Sequence, residues 1–276
     1  MGRNENLIID VGMHTGEDTA LYLAKGFDVV AVEANPTLVE QNQAKFAAEI
    51  ADGRLRIVHA AVTEHSGTVQ LAVADDLTEW SSASPDFIAR NETIGVKLRE
   101  LEVPALRFQD ILADVGIPRY LKIDIEGLDM LPVRALRDFD QRPRFVSIET
   151  KAQAASAPIE EAFDELAELW TLGYRGFQYV QQGNHAITLE PNPAREGRHS
   201  GLKMENTGSG LFGDDLPDEW VTVTTAYSRA QRMRAFQKVV GVGMRFAHTR
   251  PVRAYANLRK AANKPVAWWD LHARLD

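Results

Sequence analysis

Through the first two-thirds of the chain, short apolar runs alternate with segments whose apolar residues recur at helical spacing. Leu7-Ile-Ile-Asp-Val11, Val29-Val-Ala-Val-Glu33 and Leu55-Arg-Ile-Val58 read as strands. Thr19 to Lys25, with Leu21 and Ala24 three apart, and Thr37 to Ala51, with Leu38, Ala44 and Ala48, read as the helices between them. Continuous apolar strands separated by helices are the signature of a parallel sheet buried on both faces. The alternation resumes with Tyr120-Leu-Lys-Ile-Asp124, a helix from Asp129 to Arg137, Phe145-Val-Ser-Ile-Glu149 and a helix from Ile159 to Leu172. Tyr179-Val180 and Trp220 to Thr224 read as final strands.

Two stretches break the rhythm. Gly67 to Val73 and Leu101 to Phe108 read as extra strands around polar residues Asp75 to Gly95, a length typical of a lid or of a solvated insertion. Asn192 to Gly210 is loop-like, rich in Gly, Asn, Pro and Ser. In the last fifty residues Met233, Phe236, Val240 and Met244 recur at helical spacing opposite basic positions, with Pro251 and Pro265 as punctuation. These patterns predict a main domain over residues 1–227, with an insertion at about 63–107, and a basic helical extension over 228–276.

Composition narrows the class. The 276 residues are 45% hydrophobic and 25% charged, ordinary for a globular chain. With no cysteine there is no disulfide, thiolate metal site or thiol nucleophile, which suits a reducing compartment. No run reaches membrane-spanning length and no secretory signal is visible, so a cytoplasmic enzyme is expected. The net charge of −8 argues against general nucleic-acid binding. It hides an asymmetry: residues 228–276 hold eleven Arg or Lys and two Asp, +9, against −17 elsewhere. That tail could fold onto the acidic body, lie on an anionic membrane surface, or bind a polyanionic substrate or a partner.

Candidate chemistry starts at Asp10-Val-Gly12-Met-His14-Thr-Gly16, between the first strand and the first helix. Glycines allow a sharp turn beneath a ligand, and the helix start offers free N–H groups. Glu33 then ends the second strand, where an acid can accept hydrogen bonds from both ribose hydroxyls. The glycine spacing does not match the dinucleotide fingerprint G-x-G-x-x-G, which disfavours NAD. It looks more like the class I methyltransferase turn, with His14 in place of the middle glycine.

The block Leu121-Lys-Ile-Asp124-Ile-Glu126-Gly127-Leu-Asp129 adds a second mark, preceded by Gln109-Asp110-Ile-Leu. With these motifs the chain resembles the FkbM-type S-adenosylmethionine-dependent methyltransferases, from about Leu7 to Glu149. Gln109-Asp110-Ile-Leu would match the Asp-bearing extended segment ahead of this block in that family. The resemblance implies an α/β Rossmann-like class I fold, a seven-strand, mostly parallel, doubly wound sheet, here with a C-terminal helical appendage. It implies that Asp10, Gly12, His14 and Gly16 lie along the methionine part of the cofactor and that Glu33 holds the ribose. Ala34, Asn35, Ala60 and Ala61 would border the adenine. Asp124 and Glu126 would stand at the carboxyl end of the fourth parallel strand, as base, as orienter of the acceptor, or, for Asp124, as a cofactor ligand. His14 is a competing base, because imidazole titrates near neutral pH. Lys122 reads as a strand residue with an ionic partner, and a structural role is expected for Glu149. No metal is expected, although Asp124, Glu126, Asp129 and Glu149 are hard oxygen donors. The expected acceptor is a small molecule or glycan hydroxyl. A cofactor-binding partner subunit without turnover, or another nucleotide-dependent α/β enzyme, are the alternatives.

Overall fold

The computed structural model describes residues 2–74, 98–125, 127–154, 158–182, 188–204, 208–240, 249–251, 254, 258 and 268–276. Its frame is a seven-stranded sheet. Strands β1 (Arg3–Val11), β2 (Asp28–Glu33), β3 (Leu55–His59), β7 (Ile117–Ile123), β8 (Phe145–Glu149), β9 (Tyr174–Gln181) and β10 (Trp269–Leu275) take the order β3-β2-β1-β7-β8-β10-β9. β3, β2, β1, β7 and β8 pair in parallel. β10 is antiparallel to both β8 and β9. The chain order reverses between β1 and β7, the crevice where open α/β sheets bind ligands.

Each face of the sheet has its own core, because side chains alternate along every strand. Ile9, Val11, Leu121, Ile123, Val146, Ile148, Leu271 and Ala273 point to one face. There they meet α4 (Phe108–Val115), α5 (Met130–Ala135), α6 (Ile159–Thr171) and α7 (Val223–Val240). Ile8, Val29, Ala31, Tyr120 and Phe145 point to the other, beneath α1 (Glu17–Ala24). On that side α2 (Pro36–Lys45) and α3 (Ala47–Ala51) meet at the buried Phe46. The second face is closed by the segment around Phe212, whose ring stacks on Tyr120 at 4.3 Å and meets Tyr22, Phe27 and Phe145 edge-on. That segment is tied to the end of α1 by Lys25, fully buried between Glu190 at 2.5 Å and Asp215 at 2.8 Å.

The interruption in the rhythm is a second, three-stranded sheet. β5 (Gly67–Ala74) and β6 (Leu98–Leu106) pair antiparallel, and the short β4 (Ala61–Val62) joins β6 in parallel. The polar stretch Asp75 to Gly95, expected as a lid or insertion, lies outside the described residues.

Three expectations are corrected. The last strand is not Trp220 to Thr224: only Val221 bridges to Phe177, and Val223 already begins α7. The helical reading of 228–276 holds for α7, but the segment ends as β10, between β8 and β9 inside the sheet. The segment around Gln109-Asp110 is not extended. Phe108, Ile111 and Leu112 are buried at helical spacing, and Gly116 closes the helix α4 they form. Among the described residues no helix is long and apolar enough to cross a membrane.

One buried group in this frame makes stability depend on pH. Glu165 on α6 accepts hydrogen bonds from the Thr150 hydroxyl at 2.7 Å and the Lys151 amide at 2.8 Å. Burial nevertheless pushes its carboxyl up to about 7. The folded state therefore holds this proton more tightly than the unfolded state, and its stabilising share is full below the ordinary glutamate range and lost as pH rises to about 7. Glu165→Gln removes the titration. The difference in unfolding free energy between wild type and variant should change by roughly 3 kcal/mol across that window. Urea titrations at pH 4.5, 6 and 8 check it; a difference independent of pH contradicts it.

Candidate active site

The site is built where β1, β2 and β7 end. Asp10 is fully buried, with Thr19 of α1 donating to Oδ2 at 2.7 Å and Lys122 of β7 at 3.1 Å from Oδ1. Lys122 also donates to the Gly12 carbonyl at 2.7 Å. Burial pulls the Lys122 ammonium down, but the charges of Asp10, Asp124 and Asp18 outweigh it and hold it above the ordinary lysine range. Burial raises Asp10 despite Lys122 and Thr19. Asp10 thus faces the protein and positions the turn, and Lys122 has the ionic partner expected of it.

The turn itself is packed against β7. Gly12 has φ +85°, and a Cβ there would sit 1.8 Å from the Asp124 carbonyl oxygen. Its amide and that of Met13 both donate to Val32 of β2, at 2.9 and 3.1 Å. Gly16, at φ +80°, leaves no room for a Cβ beside Asn42 and Phe46. Both glycines are demanded by the protein's own packing. His14 also takes a positive φ, and its carbonyl accepts from Asn42 Nδ2 at 2.6 Å. Its Nδ1 lies 3.2 Å from the Thr15 hydroxyl.

Glu33 ends β2 with its carboxylate clamped. Oε2 accepts from the His14 amide and Oε1 from the Asn35 amide, both at 2.8 Å. Burial raises its pKa against the pull of those N–H groups. Each oxygen keeps a further lone-pair site, so a vicinal diol fits as a two-point partner. Asn35 caps α2 by accepting from the Thr37 amide at 3.0 Å. Ala34 lies beside it, with His59 Nε2 3.2 Å from the Ala34 carbonyl. The Ala60 amide donates to the Glu33 carbonyl at 3.0 Å, which brings Ala60 and Ala61 to the same edge. The predicted cofactor residues of β1, β2 and the end of β3 therefore converge.

Asp124 follows β7, with its amide donating to Val11 at 2.9 Å and its side chain half-buried. Asp129 accepts from the Ile125 and Gly127 amides, both at 3.1 Å, and so shapes the turn after Asp124. Burial and the Asp124 charge raise the pKa of Asp129. Glu126 lies outside the described residues. Glu149 accepts from Gln153 Nε2 at 2.7 Å. Asp110 on α4 pairs with Arg107 at 2.6 Å and accepts from the Ser66 hydroxyl at 3.0 Å. Among the described residues no three acidic or histidine side chains are grouped to hold a metal ion.

Sequence reasoning passed over Asp18 and Asp270. Asp18 of α1 accepts from the Ser209 and Gly210 amides at 2.8 and 2.9 Å, pinning the segment that covers the second face. Asp270 arrives at the same edge through β10, and the signal for it was absent because β10 was read as helix.

Residues 10–179, more than half of the chain, match the family described as the methyltransferase FkbM domain. A comparison with curated proteins finds no match. Solved structures include methyltransferase FkbM from Methylobacillus flagellatus, 16% identical, with 66% of this chain and 41% of that one covered at a TM-score of 0.41. The present chain thus spans less than half the length of that protein. The C-terminal domain of precorrin-6Y C5,15-methyltransferase from Rhodobacter capsulatus is 14% identical, covering 65% and 68% at 0.36. A SAM-dependent methyltransferase from Geobacter sulfurreducens, solved with S-adenosyl-L-homocysteine, is 10% identical, covering 100% and 86% at 0.34. On the family match, the chain belongs to the family of the methyltransferase FkbM domain.

Proposed function

We propose that the protein transfers the methyl group of S-adenosylmethionine to a hydroxyl oxygen of a sugar or other small natural product. The observation that carries this reading is the Glu33 carboxylate, locked by the His14 and Asn35 amides beside the glycine turn. The donor, when bound, supplies an already activated methyl on a sulfonium. The chain's own residues then have three tasks. Glu33 accepts hydrogen bonds from the ribose hydroxyls with the lone pairs its amide donors leave. The turn from Gly12 to Gly16, with His14 in it, lies along the methionine part, held from behind by Asp10 and Lys122. Ala34, Asn35, Ala60 and Ala61 wall the adenine. Asp124 accepts a hydrogen bond from the acceptor hydroxyl and aims its oxygen. Positioning of this kind can lower a barrier by ~7–11 kcal/mol.

Two variants separate these roles. Glu33→Ala should weaken S-adenosylmethionine binding by about 10- to 100-fold, the worth of hydrogen bonds to a charged group. Isothermal titration of both proteins measures it; unchanged affinity removes Glu33 from the site. Asp124→Asn should lower turnover by ~10²-fold or more, the scale of acid–base and orienting groups, with little loss of cofactor affinity. Equal losses in both would make Asp124 a cofactor ligand.

A further inference from the structure

Because β10 runs against its neighbours, its first residues come to the edge where the parallel strands end. Register pairs Asp270 with Glu149 of β8 and with Val180 of β9. Ile123 of β7 pairs with Ile148 of β8, so Asp124, one residue on, comes level with Glu149 and Asp270. Three carboxyl-bearing positions thus stand in one row across three adjoining strands, about 5 Å per step. Leu271 and Ala273 belong to the first core, so Asp270 and His272 point to the opposite face, that of Asp10 and Lys122.

Asp270 is 2% exposed. Its Oδ1 accepts from Gln182 Nε2 at 2.8 Å. Its Oδ2 has no hydrogen-bond partner among the described residues, although Ser209 lies beside it. Lys122, whose charge acts on Asp270, is committed to Asp10 and the Gly12 carbonyl. Glu149 is occupied by Gln153, and Asp18, across from Ser209, by two amides. A buried carboxylate left with unused acceptor sites is costly. Burial, and after it the charge of Asp124, pushes the Asp270 carboxyl up to about 8, against Ser209, Gln182 and Lys122.

We propose that Asp270 is the proton acceptor of the methyl transfer, ionised when the cationic donor is bound and reprotonated by the acceptor hydroxyl as the methyl leaves. The proposal rests on the methyltransferase reading above. The acceptor O–H and the sulfur–methyl bonds break; the oxygen–methyl bond and the Asp270 O–H bond form. The negative charge on Asp270 and the positive charge on sulfur vanish together, so the edge carries the same net charge before and after. Asp124 and Asp270 divide the work: one aims the hydroxyl, and the other keeps its proton.

The test needs no acceptor. Titrate the full-length protein at pH 7 with S-adenosylmethionine, and separately with S-adenosylhomocysteine, which lacks the sulfonium charge. Buffers of different ionisation enthalpy count the protons exchanged. Wild type should release most of one proton on binding S-adenosylmethionine and markedly less with S-adenosylhomocysteine. That difference should fade above pH 8, where Asp270 is already ionised. Asp270→Asn, isosteric with the neutral acid, should abolish it. Gln182→Leu, which removes the hydrogen bond to Oδ1, should carry it to higher pH. Equal release with the two ligands in wild type overturns the proposal even if the Asn variant does not fold. So does a difference that survives Asp270→Asn, or a pH limit unmoved by Gln182→Leu. Binding of neither ligand would instead sink the methyltransferase reading itself.

Discussion

The ion pair between Asp10 and Lys122 is buried where β1 and β7 end, and the rest of the site takes its position from it. Two charges removed from water must be paired well to be tolerated, and loss of one partner from such a pair typically costs ~3–5 kcal/mol. Lys122 spends a second donor on the Gly12 carbonyl, which sets the turn. The turn brings the His14 amide to Glu33, and the close approach of Gly12 to the Asp124 carbonyl aligns β7 with it. Glu33, the glycine turn and Asp124, at the ends of β2, β1 and β7, are thereby fixed relative to one buried contact.

Much of this was legible in the residues. Strands β1, β2, β7 and β8 announce themselves as largely apolar runs because they are covered on both faces, and acids stand at or just beyond the ends of β2, β7 and β8. Asp10 is the instructive case. The motif places it at the turn, yet its carboxylate points back into the protein at Thr19 and Lys122. A motif gives residue type and place in the chain but not side-chain direction, and here a supporting residue carries the same letter that a contacting one would.

What was not legible has a physical reason too. Trp-Asp-Leu-His-Ala-Arg-Leu in β10 alternates apolar and polar residues, but Asp270 and His272 are buried and the segment follows a basic helix. Local pattern favoured a solvated extension; pairing with β8 and β9 overrode it. Helix α4 was hidden because a resemblance suggested extended chain where Phe108, Ile111 and Leu112 keep a helical period. The buried polar groups on the second face, Tyr120 with Ser147 at 2.6 Å among them, arise from strands that meet only in three dimensions.

The antiparallel seam also orders assembly in time. β9 has β10 as its sheet partner, and β10 lies almost ninety positions further along the chain, so this pairing waits on a long loop closure. Strands β3, β2, β1, β7 and β8 need nothing beyond Glu149 to pair with one another. During synthesis the glycine turn and Glu33 can therefore be in register while the ribosome is still making the stretch that holds Asp270. The nascent chain has the turn and Glu33 before it has Asp270, and the last strand to dock completes the row of acids along the edge of the sheet.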